Sequence, residues 1–84
     1  MQTPNTVHFT RQPDGAYRFE SPVTGRTYEA RKAEDGGWML AEVTWYPVAD
    51  GRYHEIRTDL PYRYFTRAEA RDRRINAERD EAAR

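Results

Sequence analysis

The feature that most constrains this chain is a recurring alternation of polar and apolar residues, cut at intervals by turn signals. Pro13-Asp14-Gly15, Pro22-Val23-Thr24-Gly25, Glu34-Asp35-Gly36-Gly37 and Asp50-Gly51 each supply residues that bend the backbone or tolerate positive φ. Between them, Ala16-Tyr17-Arg18-Phe19-Glu20-Ser21 and Arg26-Thr27-Tyr28-Glu29-Ala30-Arg31 read as the strands of a hairpin, because period two places every second side chain on one face. Trp38 to Tyr46 is the longest and most apolar strand candidate and is expected at the sheet's centre. Pro47 ends it, and Tyr53-His54-Glu55-Ile56-Arg57-Thr58 follows as a more polar edge strand.

After Pro61 the pattern changes. Thr66 followed by Glu69 is a capping-box spacing, which predicts a helix from about residue 66 towards the C-terminus, with Glu69 to Arg73 and Asp80 to Arg84 as i,i+4 ion pairs. Its apolar stripe is narrow: Phe65, Ala68, Ile75 and Ala82. The expected fold is therefore α+β: a small antiparallel sheet of three to four strands in a hairpin meander, with one C-terminal helix packed on one face. Residues 1–15 are expected to form a flexible N-terminal arm with a short Val7-His8-Phe9 strand, and residues 16–84 a single domain.

Size and charge narrow the function classes. With 84 residues there is room for one core, and with no cysteine there is neither a disulfide framework nor thiolate chemistry. Lys32 is the only lysine, so the arginine richness follows what GC-rich coding produces without selection on function. Residues 1–32 carry five basic and three acidic groups, residues 33–62 two and six, and residues 63–84 seven and five, so neither the whole chain nor any third reads as a strongly basic nucleic-acid binder. The N-terminus lacks a signal-peptide pattern and no segment has transmembrane length, so a cytoplasmic protein is expected.

Chemistry-bearing patterns are sparse. His8 and His54 stand apart from any metal-ligand spacing, Ser21 lies beside a turn rather than in a nucleophile elbow, and the glycines mark loops rather than a phosphate cradle. Glu34, Asp35, Glu42, Asp50, Glu55 and Asp59 cluster in the middle third, where they read as a solvated rim. No catalytic residue, metal site or cofactor is expected, and the protein reads as a non-enzyme.

One element remains for function. On the central strand, Met39, Ala41, Val43 and Trp45 form a uniformly apolar face expected to be core, which leaves Trp38, Leu40 and Tyr46 on the uncovered face. Trp38, Leu40, Tyr46 and Tyr53 are then the expected partner-binding aromatics and aliphatics, with Arg71 and Arg74 at the rim. The reading that follows is a small protein-interaction module, of the kind a phage or mobile element uses as an inhibitor or adaptor on a larger host protein. A structural homodimer through two open faces is one alternative.

The other alternative comes from Tyr64-Phe65-Thr66-Arg67-Ala68-Glu69-Ala70, which resembles the strand-to-helix junction of the AP2-like arm-binding domains of phage integrases. That resemblance implies a DNA-binding accessory domain that lays its sheet on DNA. The net acidic residues 33–62 depart from it, since a DNA-facing sheet should be basic.

Overall fold

The computed structural model describes residues 7–84; the first six residues of the expected N-terminal arm lie outside the described residues. Five strands, β1 (Thr10–Arg11), β2 (Tyr17–Glu20), β3 (Thr27–Lys32), β4 (Trp38–Pro47) and β5 (Tyr53–Asp59), precede one helix, α1 (Arg67–Ala82). The strands form an antiparallel meander in the order β1-β2-β3-β4-β5, so the fold is α+β with five strands rather than three to four. The added strand is β1: Thr10 and Arg11 pair with Arg18 and Tyr17 just after the position expected for a Val7-His8-Phe9 strand.

The helix begins where the capping pattern places it. Thr66 Oγ1 accepts from the Glu69 N–H at 3.0 Å, while the Glu69 carboxylate accepts from the Phe65 N–H at 2.8 Å, one residue earlier than in the usual reciprocal box. The expected Glu69–Arg73 ion pair forms at 3.5 Å. Asp80 and Arg84 do not pair, because the helix ends at Ala82. Before the helix, Trp38 exchanges both backbone hydrogen bonds with Tyr64, at 2.8 and 3.0 Å, which ties the entry segment to the sheet. Gly37 permits this approach, since a Cβ there would stand 3.3 Å from the Tyr64 carbonyl oxygen.

The covered face of the sheet is the opposite of the one expected. Phe19, Tyr28, Ala30, Leu40, Tyr64, Ala70 and Ile75 form the core, with Trp38 and Phe9 packed against it. Leu40, expected on an open contact face, is 1% exposed beneath the helix. The register explains the reversal: Ala30 lies opposite Leu40, and Phe19 opposite Tyr28, so the aromatic and aliphatic residues of β2 and β3 share a face with Leu40. Ala41 and Val43 are buried as expected, but on the face away from the helix, where Met39, Ala41 and Val43 lie across from Arg31, Glu29 and Arg57, and Trp45 is exposed. A helix covers the face on which several strands agree, not the face most apolar on one of them.

The inner side of α1 also differs from expectation. Phe65 is 89% exposed, and the buried residues are Ala70, Ile75 and Glu78. Half-buried Arg67, Arg71 and Arg74 lie along the same side. Their aliphatic stems cover apolar surface while their charged heads find rings or oxygens.

Candidate functional site

The element that stands out is the far end of the β4–β5 hairpin. β3 pairs with β4 only as far as Val43, opposite Thr27, whereas β5 pairs with β4 to Pro47. Thr44–Pro47 and Tyr53–Ile56 therefore continue as a two-stranded arm, roughly 13 Å of ladder beyond the third strand. The molecule is correspondingly elongated, with extents of 48 × 33 × 22 Å. Asp50 and Gly51, at φ values of 70° and 72°, close the arm in the left-handed conformation that the Asp-Gly pair tolerates.

The arm carries apolar surface without a core to bury it. Trp45 is 45%, Tyr46 56% and Tyr53 69% exposed, with Val48 exposed at the tip. Trp45 and Tyr53 stand on the face away from the helix, and Tyr46 on the other, as alternation along paired strands requires. The Trp45 ring is oriented by its indole N–H, which donates to Glu55 Oε2 at 3.1 Å.

Beneath Trp45, the uncovered face is a charged network. The buried Glu29 carboxylate accepts from Arg18 Nε at 3.1 Å and from Arg31 and Arg57 Nε at 2.8 Å each. Glu55 takes both terminal nitrogens of Arg18, at 3.1 and 2.7 Å, and lies 2.7 Å from Arg57. Asp14 takes the far end of Arg31. Burial pushes the Glu29 carboxyl up, but hydrogen bonds from Arg57, Arg18 and Arg31 outweigh it and leave the group below the usual glutamate range. The Arg18 hydrogen bond is the largest influence on Glu55 and holds it low as well. Three arginines are matched by three carboxylates, so this face has lost the free positive charge that a phosphate backbone would need.

The expected contact residues are dispersed. Trp38 and Leu40 belong to the helix-covered side. Arg71 donates to the Val7 carbonyl at 3.0 Å and to Asp72 at 2.9 Å. Arg74 lies 5.7 Å from the centre of the Tyr28 ring and 3.7 Å from Glu81, and its Nε is buried without an acceptor. Only Tyr46 and Tyr53 share one element, the arm, on its opposite faces. Trp45 and Val48 lie outside the expected contact set, since Trp45 alternates with Met39, Ala41 and Val43 and so reads as core; the signal that points to both is that β4 runs longer than β3.

The remaining polar groups serve the fold. Ser21 is buried and donates to Glu78, which also accepts from Thr24 at 2.8 Å and from Tyr28 at 2.6 Å. Burial, then the hydrogen bond to Glu78, pushes the Tyr28 hydroxyl up to about 12. This cluster fastens the helix to the β2–β3 turn, with Ser21 Oγ also accepting from the Val23 N–H at 3.1 Å. A cleft of about 500 Å³ beside the helix start is lined by Asp35, Arg63, Phe65, Glu69 and Arg73, but Arg63 pairs with Asp35 and Arg73 with Glu69. Among the described residues, no group of three histidines, aspartates or glutamates could hold a metal, and no helix is long and apolar enough to cross a membrane.

Comparison with known proteins gives no relative: no family model, no curated protein and no solved structure matches the chain.

Proposed function

We propose that the chain is a small protein-interaction module, an adaptor or inhibitor, which engages a larger protein through the β4–β5 arm. The observation that carries this is that Trp45 and Tyr53 on one face of the arm, Tyr46 on the other and Val48 at the tip are all exposed, on a ladder flanked by no third strand among the described residues. Aromatic side chains on a two-stranded ribbon gain little from folding alone, and they are the residues in which interface centres are enriched. Trp45, already oriented by Glu55, would lose little freedom on binding.

A tagged copy used for affinity capture tests the reading through paired variants. A double substitution Tyr46→Ala and Val48→Ala should abolish capture of a discrete partner while leaving the circular dichroism spectrum unchanged. Phe65→Ala removes a still more exposed ring outside the arm and should leave capture intact. Equal capture by all three proteins would refute the assignment to the arm.

A further inference from the structure

The sheet ends on one side in β1, two residues long, and on the other in β5, seven residues long. Among the described residues, no strand pairs with the outer side of β5. Which backbone groups it presents follows from the hydrogen bonds around it. Leu60 N–H donates to the Leu40 carbonyl at 2.9 Å, and Trp38 bonds to Tyr64, so the even-numbered residues of β4 turn their backbone groups towards the β5 side. Register sets them against His54, Ile56 and Thr58. The outward N–H and C=O groups of β5 thus belong to Tyr53, Glu55, Arg57 and Asp59.

A bare edge of this length is a template for another strand unless something blunts it. β5 contains no proline, and its register against β4 runs without a bulge from Asp59 to Tyr53. Its charges do not repel a copy of themselves; they complement one. Laid antiparallel with Ile56 against Ile56, two β5 strands place each Glu55 opposite an Arg57 and each Tyr53 opposite an Asp59. All four are residues whose backbone groups point outward, so the ladder and the charges agree on one register. Sliding by two residues in one direction sets Glu55 against Glu55. Sliding the other way sets Arg57 against Arg57 and Glu55 against Asp59, and like charges directly opposite are destabilising.

We propose that two copies of this chain pair antiparallel through β5 about a two-fold axis at Ile56, joining their two sheets into one. The half-buried Ile56 side chains would then meet at the close, non-hydrogen-bonded position of the ladder. Each Arg57 would reach the Glu55 of the other copy beside its own. The pairing uses the β5 strand of the arm, so Tyr53 lies in the seam, whereas Trp45 and Tyr46 on β4 and Val48 at the tip stay off it and the two arms point in opposite directions.

Because the chain has no cysteine, the register can be read chemically. Ile56→Cys places two thiols within disulfide reach across the axis, whereas Thr58→Cys places each opposite His54, about four residues of strand from its mate. Mild oxidation should give covalent dimers of Ile56→Cys at least about tenfold faster than of Thr58→Cys. Light scattering on the unmodified protein should show a dimer fraction that rises with concentration. Asp59→Pro, which removes an outward N–H at a site an edge strand tolerates, should raise the dimer dissociation constant at least about tenfold with the circular dichroism spectrum preserved. A protein that stays monomeric at millimolar concentration, equal oxidation rates for the two cysteine variants, or a dimer indifferent to Asp59→Pro would each overturn the pairing.

Discussion

Two glutamates do more for this fold than their residue type suggests. Glu29 and Glu78 are both buried, one beneath each face of the sheet, and each is satisfied by several donors. Removing one partner of such a cluster strands the others, so Glu29→Gln, which leaves Arg18, Arg31 and Arg57 around a neutral amide, is expected to cost about 2 to 3 kcal/mol in denaturant unfolding. The pH dependence follows from the same geometry. Burial raises the Glu78 carboxyl, but hydrogen bonds from Ser21, Tyr28 and Thr24, with the charge of Arg74, bring it below its ordinary 4.5, and Glu29 is lowered likewise. Groups with lower folded than unfolded pKa bind fewer protons when native, so their stabilisation is full above about pH 4.5 and is lost as pH falls through the folded values. Thermal melts across that range should therefore show acid destabilisation, and Glu78→Gln should flatten it; an unchanged slope would mean that Glu78 does not contribute.

At the level of elements, strand positions and the helix start were legible because they depend on local chemistry: turn residues, period-two alternation and the Thr66 to Glu69 cap. The helix-covered face was not, because the apolar run of Met39, Ala41 and Val43 does not reveal that the register sets Arg31, Glu29 and Arg57 beside it, so that Ala41 and Val43 are buried among charged side chains and not beneath the helix. The inner side of the helix is hidden for a related reason, since it uses arginines where an apolar stripe would mark it. Arg67 shows how: its guanidinium lies 3.8 Å from the centre of the Tyr17 ring, 5.0 Å from Phe9 and 5.9 Å from Trp38. A cation in the first helical turn opposes the helix dipole, so this position is held by the rings rather than by the helix. Arg67→Ala should then cost about 1 kcal/mol in chemical denaturation although it removes an unfavourable helix charge, whereas exposed Arg73→Ala should stay within about 0.5 kcal/mol. Equal effects would deny the rings any energetic role. The arm is half legible: Tyr46 and Tyr53 read as exposed aromatics, but the ladder that outruns β3 is visible only once strand lengths are known. Its amides, Thr44 to Tyr46 and Tyr53 to Ile56, should exchange with deuterium faster than those of Tyr28 to Ala30, which sit between two strands.

Across the whole molecule, the beginning and end of the described chain hold each other in place. The Val7 carbonyl accepts from Arg71, and Phe9 meets Phe19 at 5.6 Å and Tyr17 at 6.2 Å between ring centres, with Arg67 and Arg71 over its own ring. The helix has only Ala70 and Ile75 as buried apolar residues, and a sixteen-residue helix with so small an apolar stripe is marginal when isolated in water. It must therefore gain its stability from the sheet and from Phe9, and it should not survive their loss. Helix signal at 222 nm and tyrosine and tryptophan fluorescence are expected to follow one coincident unfolding transition in denaturant. Phe9→Ala, which trims a half-buried ring shared by the sheet and two helix arginines, should move both probes together by about 2 kcal/mol. If the helix signal instead melted ahead of the fluorescence, or Phe9→Ala shifted only one of them, the sheet would be the sole cooperative unit and α1 an appendage docked on its surface.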